Sequence, residues 1–452
     1  MIHPIENRYG SEEMRAIFQE ERKLELELRV EAALAQALAD FGVIPQDAAR
    51  AIGEKATLEF VKLDRVKQIE KETNHDLMAV VKALAEVSGA AGKYVHLTAT
   101  SYDIVDTALA LRIKAAVEIL AAKGRELLKV CLDFAKANKG LTMIGRTHGQ
   151  HAVPITLGFK FANYCDKIGD DVIRLEQDFI YIRGKFSGAV GSCAAQRAYG
   201  IKGDLEQAIM ARLGISAADI STQVVARENI ARIVCDLAIL AGTLEQIAKE
   251  VRNLQRTEIA ELAESFAAKQ VGSSTMAQKR NPISAENICS NARVIRSCVA
   301  PILEDISLEH ERDLTNSACE RSILPTVFIL SDEIISRAAR LVSGLQVSPE
   351  NIKKNLTLSD GAVMAEAVIT LLAKKGMDRQ VAHEILRIAA NEARAGNRGL
   401  GSMLADNAEV MKYISQSELD KAMDCNNYVG LSVQKTELIV EKWEKFLEAS
   451  KD

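Results

Sequence analysis

The chain has 452 residues, of which 48% are hydrophobic and 26% are charged, and its formal net charge at pH 7 is −5. This length allows two or three domains with a large buried core. Only 7 prolines occur, where average usage predicts roughly 23 for a chain of this size. Because proline is scarce while Ala, Leu, Glu and Lys are plentiful, the composition favours helices and disfavours an all-β fold.

The charge and hydropathy patterns exclude two classes of partner. Basic and acidic residues are interspersed, with no basic run and no alternation of basic and aromatic residues, so nucleic-acid binding is not predicted. The N-terminus is polar, and no run of about 18 apolar residues occurs, so neither a signal segment nor a membrane span is predicted. A small anionic ligand is compatible with the composition, since a few cations in one pocket need not change the net charge.

The eight cysteines are scattered along the chain. None occurs as Cys-x-x-Cys or in a Cys/His cluster with zinc spacing, and most lie in apolar helical patterns. They are Cys131, Cys165, Cys193, Cys235, Cys289, Cys298, Cys319 and Cys425. We therefore expect small buried thiols in a reducing compartment, and a soluble cytoplasmic protein that uses no metal or cofactor.

The first predicted elements are helices rich in Glu, Leu and Ala. One or two helices are expected over residues 11–41, ending at Gly42, and residues 47–90 continue the helical pattern. Residues 89–100 then interrupt it with two glycines and a polar stretch, which places a domain boundary near residue 95.

A long helix is predicted next, capped by Ser101 or Asp103 and running for about 35 residues to Gly140. The strongest pattern lies in the region 224–265, where apolar residues recur at alternating steps of four and three. They are Ile230, Val234, Leu237, Ala241, Leu244, Ala248 and Val251. This near-3.5 period predicts the seam of a long helix in a bundle, shared between subunits. An interaction scaffold has the same seam, so the pattern alone does not indicate catalysis.

Helical patterns resume over 286–300 and 323–345, and Val347-Ser348-Pro349 marks a second break with proline in the first turn of a new helix. We therefore predict three helical domains. They are an N-terminal domain (1–95), a central long-helix domain (96–346) and a C-terminal domain (347–452).

The segment 272–282, Gly-Ser-Ser-Thr-Met-Ala-Gln-Lys-Arg-Asn-Pro, is the most informative stretch of the chain. It concentrates hydroxyls, one Lys, one Arg and one Asn, and only Met276 can join an apolar core. Burial therefore stabilises it little, and loops of this kind commonly carry function. A solvated interhelical loop has a similar composition, so the segment alone leaves both interpretations open.

Five of the seven histidines fall in polar segments at predicted loops or helix ends. They are His75, His96, His148, His151 and His310. On a helix His148 and His151 would share a face, but Gly149 separates them and no third ligand is near in sequence, so a structural metal is not predicted.

Other enzyme classes lack their signatures. A Ser-His-Asp hydrolase needs a Gly-x-Ser-x-Gly elbow, which is missing, and the helical pattern offers no strand to carry one. Phosphate-loop and dinucleotide fingerprints are also missing. Acid–base chemistry on an anionic substrate remains.

A β-elimination from a succinyl group needs a base for the proton alpha to a carboxylate, an acid for the departing nitrogen, and donors for the dianionic intermediate. His148 or His75 suits the acid because imidazole titrates near neutrality. Lys279 and Asn281 supply a charge and an amide for carboxylate oxygens. A serine can act as the base only if its alkoxide is strongly stabilised.

Several motifs carry a resemblance to a known family. The loop Gly-Ser-Ser-x-Met-x-x-Lys-x-Asn-Pro stands at 272–282, Thr-Ser-Tyr-Asp-Ile-Val-Asp-Thr at 100–107, and Gly-Arg-Thr-His-Gly-Gln-His-Ala at 145–152. Glu-Arg-Asp at 311–313 is followed by Ser317 and Glu320-Arg321. By these motifs, from the N-terminus to about residue 450, the chain resembles the fumarase/aspartase superfamily and, within it, the adenylosuccinate lyase family.

The resemblance implies a fold and a reaction. The fold is three helical domains, with the long helices of the middle domain assembling into a twenty-helix core in a homotetramer. The reaction is anti elimination of fumarate from adenylosuccinate, giving AMP, and from the succinylated aminoimidazole-carboxamide ribotide of purine synthesis. Three subunits contribute to each site, and the partner is a succinylated purine nucleotide.

The resemblance also implies catalytic roles. His148 is the general acid, Ser273 is the general base, and His75 assists His148 or holds the phosphate side of the substrate. Lys279 binds the succinyl part, and Glu286 orients His148 and stabilises its charged form.

The remaining site residues bind substrate by the same resemblance. Thr100, Ser101, Gln223 and Asn281 bind the succinyl part, and Arg8, Tyr9, Arg312, Ser317 and Arg321 bind the nucleotide, mainly its phosphate. Asp76, Thr147 and Ser274 complete the predicted substrate site.

Two alternatives stay open. One is a sister activity of the superfamily, such as 3-carboxy-cis,cis-muconate cycloisomerase or another amino-succinate lyase. A small diacid needs no phosphate site, so the pairs Arg8–Tyr9 and Ser317–Arg321 favour the nucleotide. The other is a non-catalytic structural relative, against which Ser273, His148, Lys279 and Asn281 count together.

Overall fold

The computed structural model describes residues 5, 7–266, 272, 274–276, 278–396 and 398–449. The described part of the chain is mainly helical, which confirms the predicted all-α class. Short helices come first. They are α1 (Glu12–Ile17), α2 (Glu20–Asp40), α3 (Gln46–Lys55), α4 (Leu63–Thr73) and α5 (Asp76–Val87).

The longest helices follow in the middle of the chain. The helices of this part are α6 (Ser101–Ala137), α7 (Leu157–Gln177), α8 (Ala194–Ala198), α9 (Leu205–Leu213), α10 (Glu228–Leu254), α11 (Ile283–Ser297), α12 (Val299–Glu304) and α13 (Thr315–Ser343). The last part is again built from shorter helices. They are α14 (Pro349–Thr357), α15 (Ala365–Lys374), α16 (Arg379–Gly396), α17 (Leu400–Ala405), α18 (Ala408–Met411), α19 (Gln416–Met423) and α20 (Ser432–Ala449).

Short strands occur between the helices, so the expectation that the chain offers no strand is wrong. The strands are β1 (Thr142–Thr147), β2 (Gln150–Thr156), β3 (Arg183–Gly184), β4 (Ser216–Ala217), β5 (Leu262–Ala263) and β6 (Gln346–Val347). The pairs β1–β2 and β5–β6 are antiparallel, and β3–β4 is parallel. Each pair ties together segments that connect helices.

Several helix boundaries follow the predicted signals. Gly42, with φ of +71°, lies just beyond α2, where a residue without a side chain accommodates the left-handed turn. Ser348 caps α14 by accepting a hydrogen bond from the Asn351 amide, and Pro349 occupies the first helical position. All seven apolar residues of the predicted α10 seam are buried, which confirms it.

Contacts group the chain into two compact units. The first comprises Met1–Gly124, Asp171–Gly242 and Ser290–Ile335, and the second comprises Arg125–Asp170, Thr243–Cys289 and Ser336–Asp452. Five helices, α6, α7, α10, α11 and α13, contribute residues to both. These units combine distant segments, so the predicted division at residues 95 and 346 stays a prediction.

Each unit has its own apolar core. In the first, α2, α3, α5 and α9 meet around Leu28, Leu34, Ile52, Leu77 and Ile209, all nearly or fully buried. The short helices α15 to α18 of the second unit enclose another cluster. It includes Leu372, Leu386, Leu400, Leu404 and Val410. These clusters supply the burial that stabilises helices too short to persist alone.

The single tryptophan attaches the last helix of the second unit to α7. Trp443 is 1% exposed, and its indole N–H donates to Asp166 at 2.9 Å. Its ring lies against Gly169, where any Cβ would collide with three ring atoms. A glycine is therefore required on α7 for this close approach.

Among the described residues, none of the helices is by itself both long and apolar enough to cross a membrane. In the part of the chain that the structure describes, one bent pair, Pro349–Thr357 and Ala362–Lys374, meets these two criteria when taken together, with an angle of 74° between its helices.

Glu27 on α2 is a buried carboxyl group whose charge opposes folding. Burial raises the pKa of Glu27 from its ordinary 4.5 to about 7, while Lys23, 3.6 Å away, acts in the opposite direction. Because the folded chain binds this proton more tightly than the unfolded chain, the favourable contribution is complete below pH 4.5. It is lost as the pH rises through 7.

Glu27→Gln is therefore expected to stabilise the protein at alkaline pH and to change little at acid pH. The pKa difference corresponds to a gain of at most about 3 kcal/mol at pH 8. Thermal unfolding at pH 5 and pH 8 measures the effect, with Glu25→Gln, an exposed residue of the same helix, as the control. An equal gain at both pH values would contradict the assignment.

Candidate active site

The predicted substrate residues Thr100 and Ser101 lie at the start of α6. The Thr100 amide donates to Asp103 Oδ2 at 2.8 Å, and the Asp103 amide donates to the Thr100 carbonyl at 3.0 Å. This reciprocal pair confirms that Asp103 contributes to the helix cap. Thr100 and Ser101 stay half-exposed, whereas Asp103 is completely buried.

A buried ion pair holds this helix start in place. Asp103 contacts the ammonium of Lys185, and both side chains are fully buried. Asp103 Oδ1 also accepts from the Gly188 amide at 3.2 Å, and Lys185 Nζ donates to the Gly188 carbonyl at 3.3 Å. A buried charge is tolerated when it is paired and hydrogen-bonded in this way. The loop at 185–188 is thereby joined to the segment that presents Thr100 and Ser101.

The same loop supports the segment that carries Gln223. The Ser187 and Ser221 hydroxyls are 2.7 Å apart, and Gln223 Nε2 donates to the Ala189 carbonyl at 3.0 Å. Gly191 has φ of +84°, and a Cβ there would collide with the Ser221 carbonyl oxygen. The two loops therefore pack backbone against backbone.

Arg312 meets Gln223 directly. Arg312 Nη1 donates to Gln223 Oε1 at 2.7 Å, and the backbone N–H of Gln223 donates to the Glu311 carbonyl at 3.2 Å. The Arg312 guanidinium also lies 3.5 Å above the ring of Tyr102, the neighbour of Ser101. The first unit thus brings together three of the predicted substrate segments.

A buried ion triad lies beneath these segments. Arg227 forms a two-point ion pair with Asp106, at 2.8 Å to Oδ1 and 3.1 Å to Oδ2, and its Nε lies 2.9 Å from Glu320 Oε1. Burial lowers the pKa of Arg227, but the charges of Asp106 and Glu320 outweigh it and raise this pKa. Burial raises the pKa of Glu320, with Arg227 opposing the rise.

The triad joins three parts of the chain. Asp106 Oδ2 also accepts from the Val225 amide at 2.8 Å, two residues after Gln223. Glu320 lies between Ser317 and Arg321 in the first turns of α13. The sequence motifs include Asp103, Asp106 and Glu320, but they did not predict that these residues form buried ion pairs. The signal was present, because Asp103 and Asp106 fall in register with the buried α6 residues Ala110, Ile113 and Val117.

The other predicted residues of the first unit lie apart from this group. His75 caps α5, its Nδ1 accepting from the Met78 amide at 3.3 Å, and it lies 3.7 Å from Asp76. The Tyr9 carbonyl accepts from Arg15 at 3.1 Å, and Arg8 is exposed. Within the described residues, no hydrogen bond or ion pair joins His75, Asp76, Arg8 or Tyr9 to Gln223 or Arg312.

In the second unit, His148 lies at the tip of a hairpin. The two turn residues His148 and Gly149 have φ of +53° and +72°, and Thr147 pairs with Gln150. Two positive φ values match the two-residue turn whose twist suits paired strands. Thr147 and His148 are exposed. The helical arrangement considered for a metal at His148 and His151 is therefore wrong for this segment.

Gly272, at the start of the segment 272–282, lies close to Lys279 and Asn281 near its end. Asn281 Nδ2 donates to the Gly272 carbonyl at 3.0 Å, and a Cβ at Gly272 would collide with the Lys279 carbonyl oxygen. Ser274 and Lys279 are exposed. Ser273, the predicted base, lies outside the described residues.

A distant carboxylate caps the helix that follows this segment. Glu264 accepts from the Ser284 amide at 3.1 Å and from the Ala285 amide at 2.7 Å, at the start of α11. The residue before the helix is Pro282, whose side chain has no capping oxygen, so the Glu264 carboxylate caps the helix instead. Gln255 accepts from the Glu264 amide at 2.9 Å and donates to the Arg280 carbonyl at 3.2 Å.

The predicted contact between Glu286 and His148 has no counterpart within one chain. Glu286 lies in the first turn of α11 and is exposed, and no hydrogen bond joins it to His148 among the described residues. The predicted role of Glu286 therefore stays a prediction that depends on another subunit.

Comparison with known families agrees with the motifs. A family model described as Lyase matches residues 7–297, and one described as Adenylosuccinate lyase C-terminus matches residues 361–438. A solved structure titled 3-carboxy-cis,cis-muconate lactonizing enzyme, from Pseudomonas putida, superposes with a TM-score of 0.89. It is 28% identical and covers 98% of this chain and 99% of its own.

Curated relatives are more similar in sequence. A protein named adenylosuccinate lyase from Pyrococcus abyssi is 48% identical over 97% of both chains. Another of that name from Methanocaldococcus jannaschii is 46% identical over 97% of this chain and 96% of its own. Similarity of this extent, together with the matched C-terminal family, shows that the chain belongs to the adenylosuccinate lyase family within the fumarase/aspartase superfamily.

Proposed function

We propose that this protein is an adenylosuccinate lyase, which eliminates fumarate from adenylosuccinate to give AMP and performs the same reaction on the succinylated ribotide of purine synthesis. The observation that carries the proposal is near-half identity to proteins of that name over almost the whole chain. The solved structure titled 3-carboxy-cis,cis-muconate lactonizing enzyme is less similar in sequence, at 28% identity.

In this proposal the polar groups of the second unit carry out the elimination, because it needs proton transfer and stabilisation of negative charge. His148 is the general acid that protonates the departing nitrogen, and its exposed place at a hairpin tip leaves its ring accessible to a substrate. Lys279 and Asn281 hold the carboxylates and stabilise the dianionic intermediate. Ser273 is the general base on the strength of the sequence motif.

The first unit is proposed to bind the nucleotide and part of the succinyl group. Thr100, Ser101 and Gln223 offer hydroxyl and amide groups, and their half-exposed side chains are supported by buried charges. Arg312 is already oriented by Gln223 and Tyr102, so it loses little freedom on binding an anion. Ser317 and Arg321, with Arg8 and Tyr9, complete the phosphate side.

We further propose a homotetramer with active sites shared between subunits, and a cytoplasmic location. Within the described part of one chain, no hydrogen bond or ion pair joins the exposed side chains of Glu286 and His148. A shared site brings Glu286 of one subunit to His148 of another. The eight cysteines are free thiols, four of them buried, as expected in a reducing compartment.

The first test is turnover by the purified protein. With adenylosuccinate, absorbance is expected to report stoichiometric AMP and fumarate, because elimination changes the conjugation of the purine amine. A parallel assay uses 3-carboxy-cis,cis-muconate. Turnover of the muconate without turnover of adenylosuccinate would reject the proposed substrate.

His148→Gln and Ser273→Ala are each expected to lower kcat by about 100-fold or more, since each removes a proton-transfer group. The exposed His383 of α16 has no assigned role, so His383→Gln is the matched control and should keep the wild-type rate. Near-full activity of His148→Gln would refute the acid assignment.

Mixing the two inactive variants tests the shared site. After subunit exchange, some sites contain an intact His148 and an intact Ser273, so activity is expected to return. Sedimentation of the same mixture reports whether tetramers form. Tetramers that regain no activity would show that each site is built from one chain.

A further inference from the structure

The hairpin that carries His148 contains an irregularity next to its tip. The pairing of β1 with β2 shifts between Ile144 and Arg146, so that Gly145 of β1 lies opposite two residues of β2, Ala152 and Val153. A Cβ at Gly145 would lie 2.8 Å from the Val153 carbonyl oxygen, which a larger residue could not accommodate without a shift. A bulge of this kind on β2 bends that strand and increases the local twist of the hairpin.

Arg146, which follows Gly145, forms a two-point ion pair with Glu261. Nη1 lies 2.9 Å from Oε2 and Nη2 lies 2.6 Å from Oε1. The Glu261 side chain is fully buried, and that of Arg146 is 15% exposed. Two parallel hydrogen bonds fix the orientation of the guanidinium as well as its distance.

Arg146 also faces a second histidine across the hairpin. His151 is its cross-strand partner. Burial lowers the pKa of His151, and the positive charge of Arg146 adds to this, while Glu261 acts in the opposite direction. Glu261 thus offsets the charge that Arg146 brings to the hairpin.

Helix α14 holds Glu261 and the two residues before it in place. Glu261 follows Ala260, whose φ of +48° is an unusual, strained value for a residue with a side chain. Asn351 and Asn355 of α14 donate to the carbonyls of Ala260 and Ile259, both at 2.9 Å. Asn355 Nδ2 also donates to Glu261 Oε1 at 2.8 Å. The turn is therefore clamped in the conformation that aims Glu261 at Arg146.

We propose that Arg146 and Glu261 are positioning residues, which fix the hairpin so that His148 stands where the leaving nitrogen is protonated. The inference rests on the proposed role of His148 and adds to it. A buried ion pair seldom adds much to stability over an apolar pair, so an ion pair held by two parallel hydrogen bonds and by a strained residue at Ala260 is better explained by geometry that the reaction needs. A displacement of about 1 Å in a reacting group can cost roughly 100-fold in rate.

The test compares Glu261→Gln with a matched ion pair of the same unit. Glu250 pairs with Lys160 at 2.6 Å and has no assigned role, so Glu250→Gln is the control. Steady-state rates with adenylosuccinate are measured well below the unfolding temperature of each variant. Glu261→Gln is expected to lower kcat roughly 10- to 100-fold while KM changes less than about 3-fold, because His148 acts in the chemical step.

A second variant guards against loss of folding. Arg146→Gln combined with Glu261→Gln leaves no unpaired buried charge, so the protein should fold, yet it lacks the ion pair. Its kcat is expected to stay as low as that of the single variant. Arg146→Lys keeps the positive charge but cannot form two parallel hydrogen bonds with Glu261. Its kcat is therefore expected to lie between that of the double variant and that of the wild type.

The outcomes separate this inference from the proposed function. If Glu261→Gln and the double variant both keep the rate of Glu250→Gln while His148→Gln is inactive, the positioning role is overturned and the lyase assignment stands. If His148→Gln is itself active, the proposed acid is wrong. A fall in kcat with unchanged KM in both Glu261 variants supports the inference.

Discussion

The ion pairs of Arg227 with Asp106 and Glu320 join segments that lie far apart in the sequence. Each of the three side chains is less than 10% exposed, so each charge depends on the others for the stabilisation that water no longer provides. Removing one partner would leave an uncompensated buried charge, whereas the complete triad is tolerated. The start of α6, the segment after Gln223 and the start of α13 are therefore locked in a single arrangement.

The same relation recurs beneath several of the proposed functional groups. Thr100, Ser101, Gln223 and Arg312 are half-exposed, and beneath them lies the fully buried pair of Asp103 and Lys185. In the second unit the exposed Lys279 and the half-buried Asn281 precede a helix whose cap is the buried Glu264. Surface side chains gain little from burial, so their positions are set by the charges underneath.

This arrangement suits an elimination that builds up negative charge. Stabilising a dianionic intermediate requires donors that are already oriented, because reorienting them during the reaction would cost free energy. The same advantage holds for binding the nucleotide: Arg312, fixed by Gln223 and by the ring of Tyr102, is oriented before any substrate arrives. Long helices are well suited to hold such groups, since their backbone hydrogen bonds are satisfied internally and their packed faces resist displacement.

The helical class, the α10 seam and several helix ends were predictable from the order of residues alone, because spacing, capping and proline position act over a few residues. The sequence motifs also named the family. The hairpin at His148 escaped prediction, since a short strand pair between long helices has almost no periodic signal. The pairing of Glu261 with Arg146 and that of Glu320 with Arg227 emerge from the folded chain, because such pairings depend on which distant segments fold against each other and not on any local pattern.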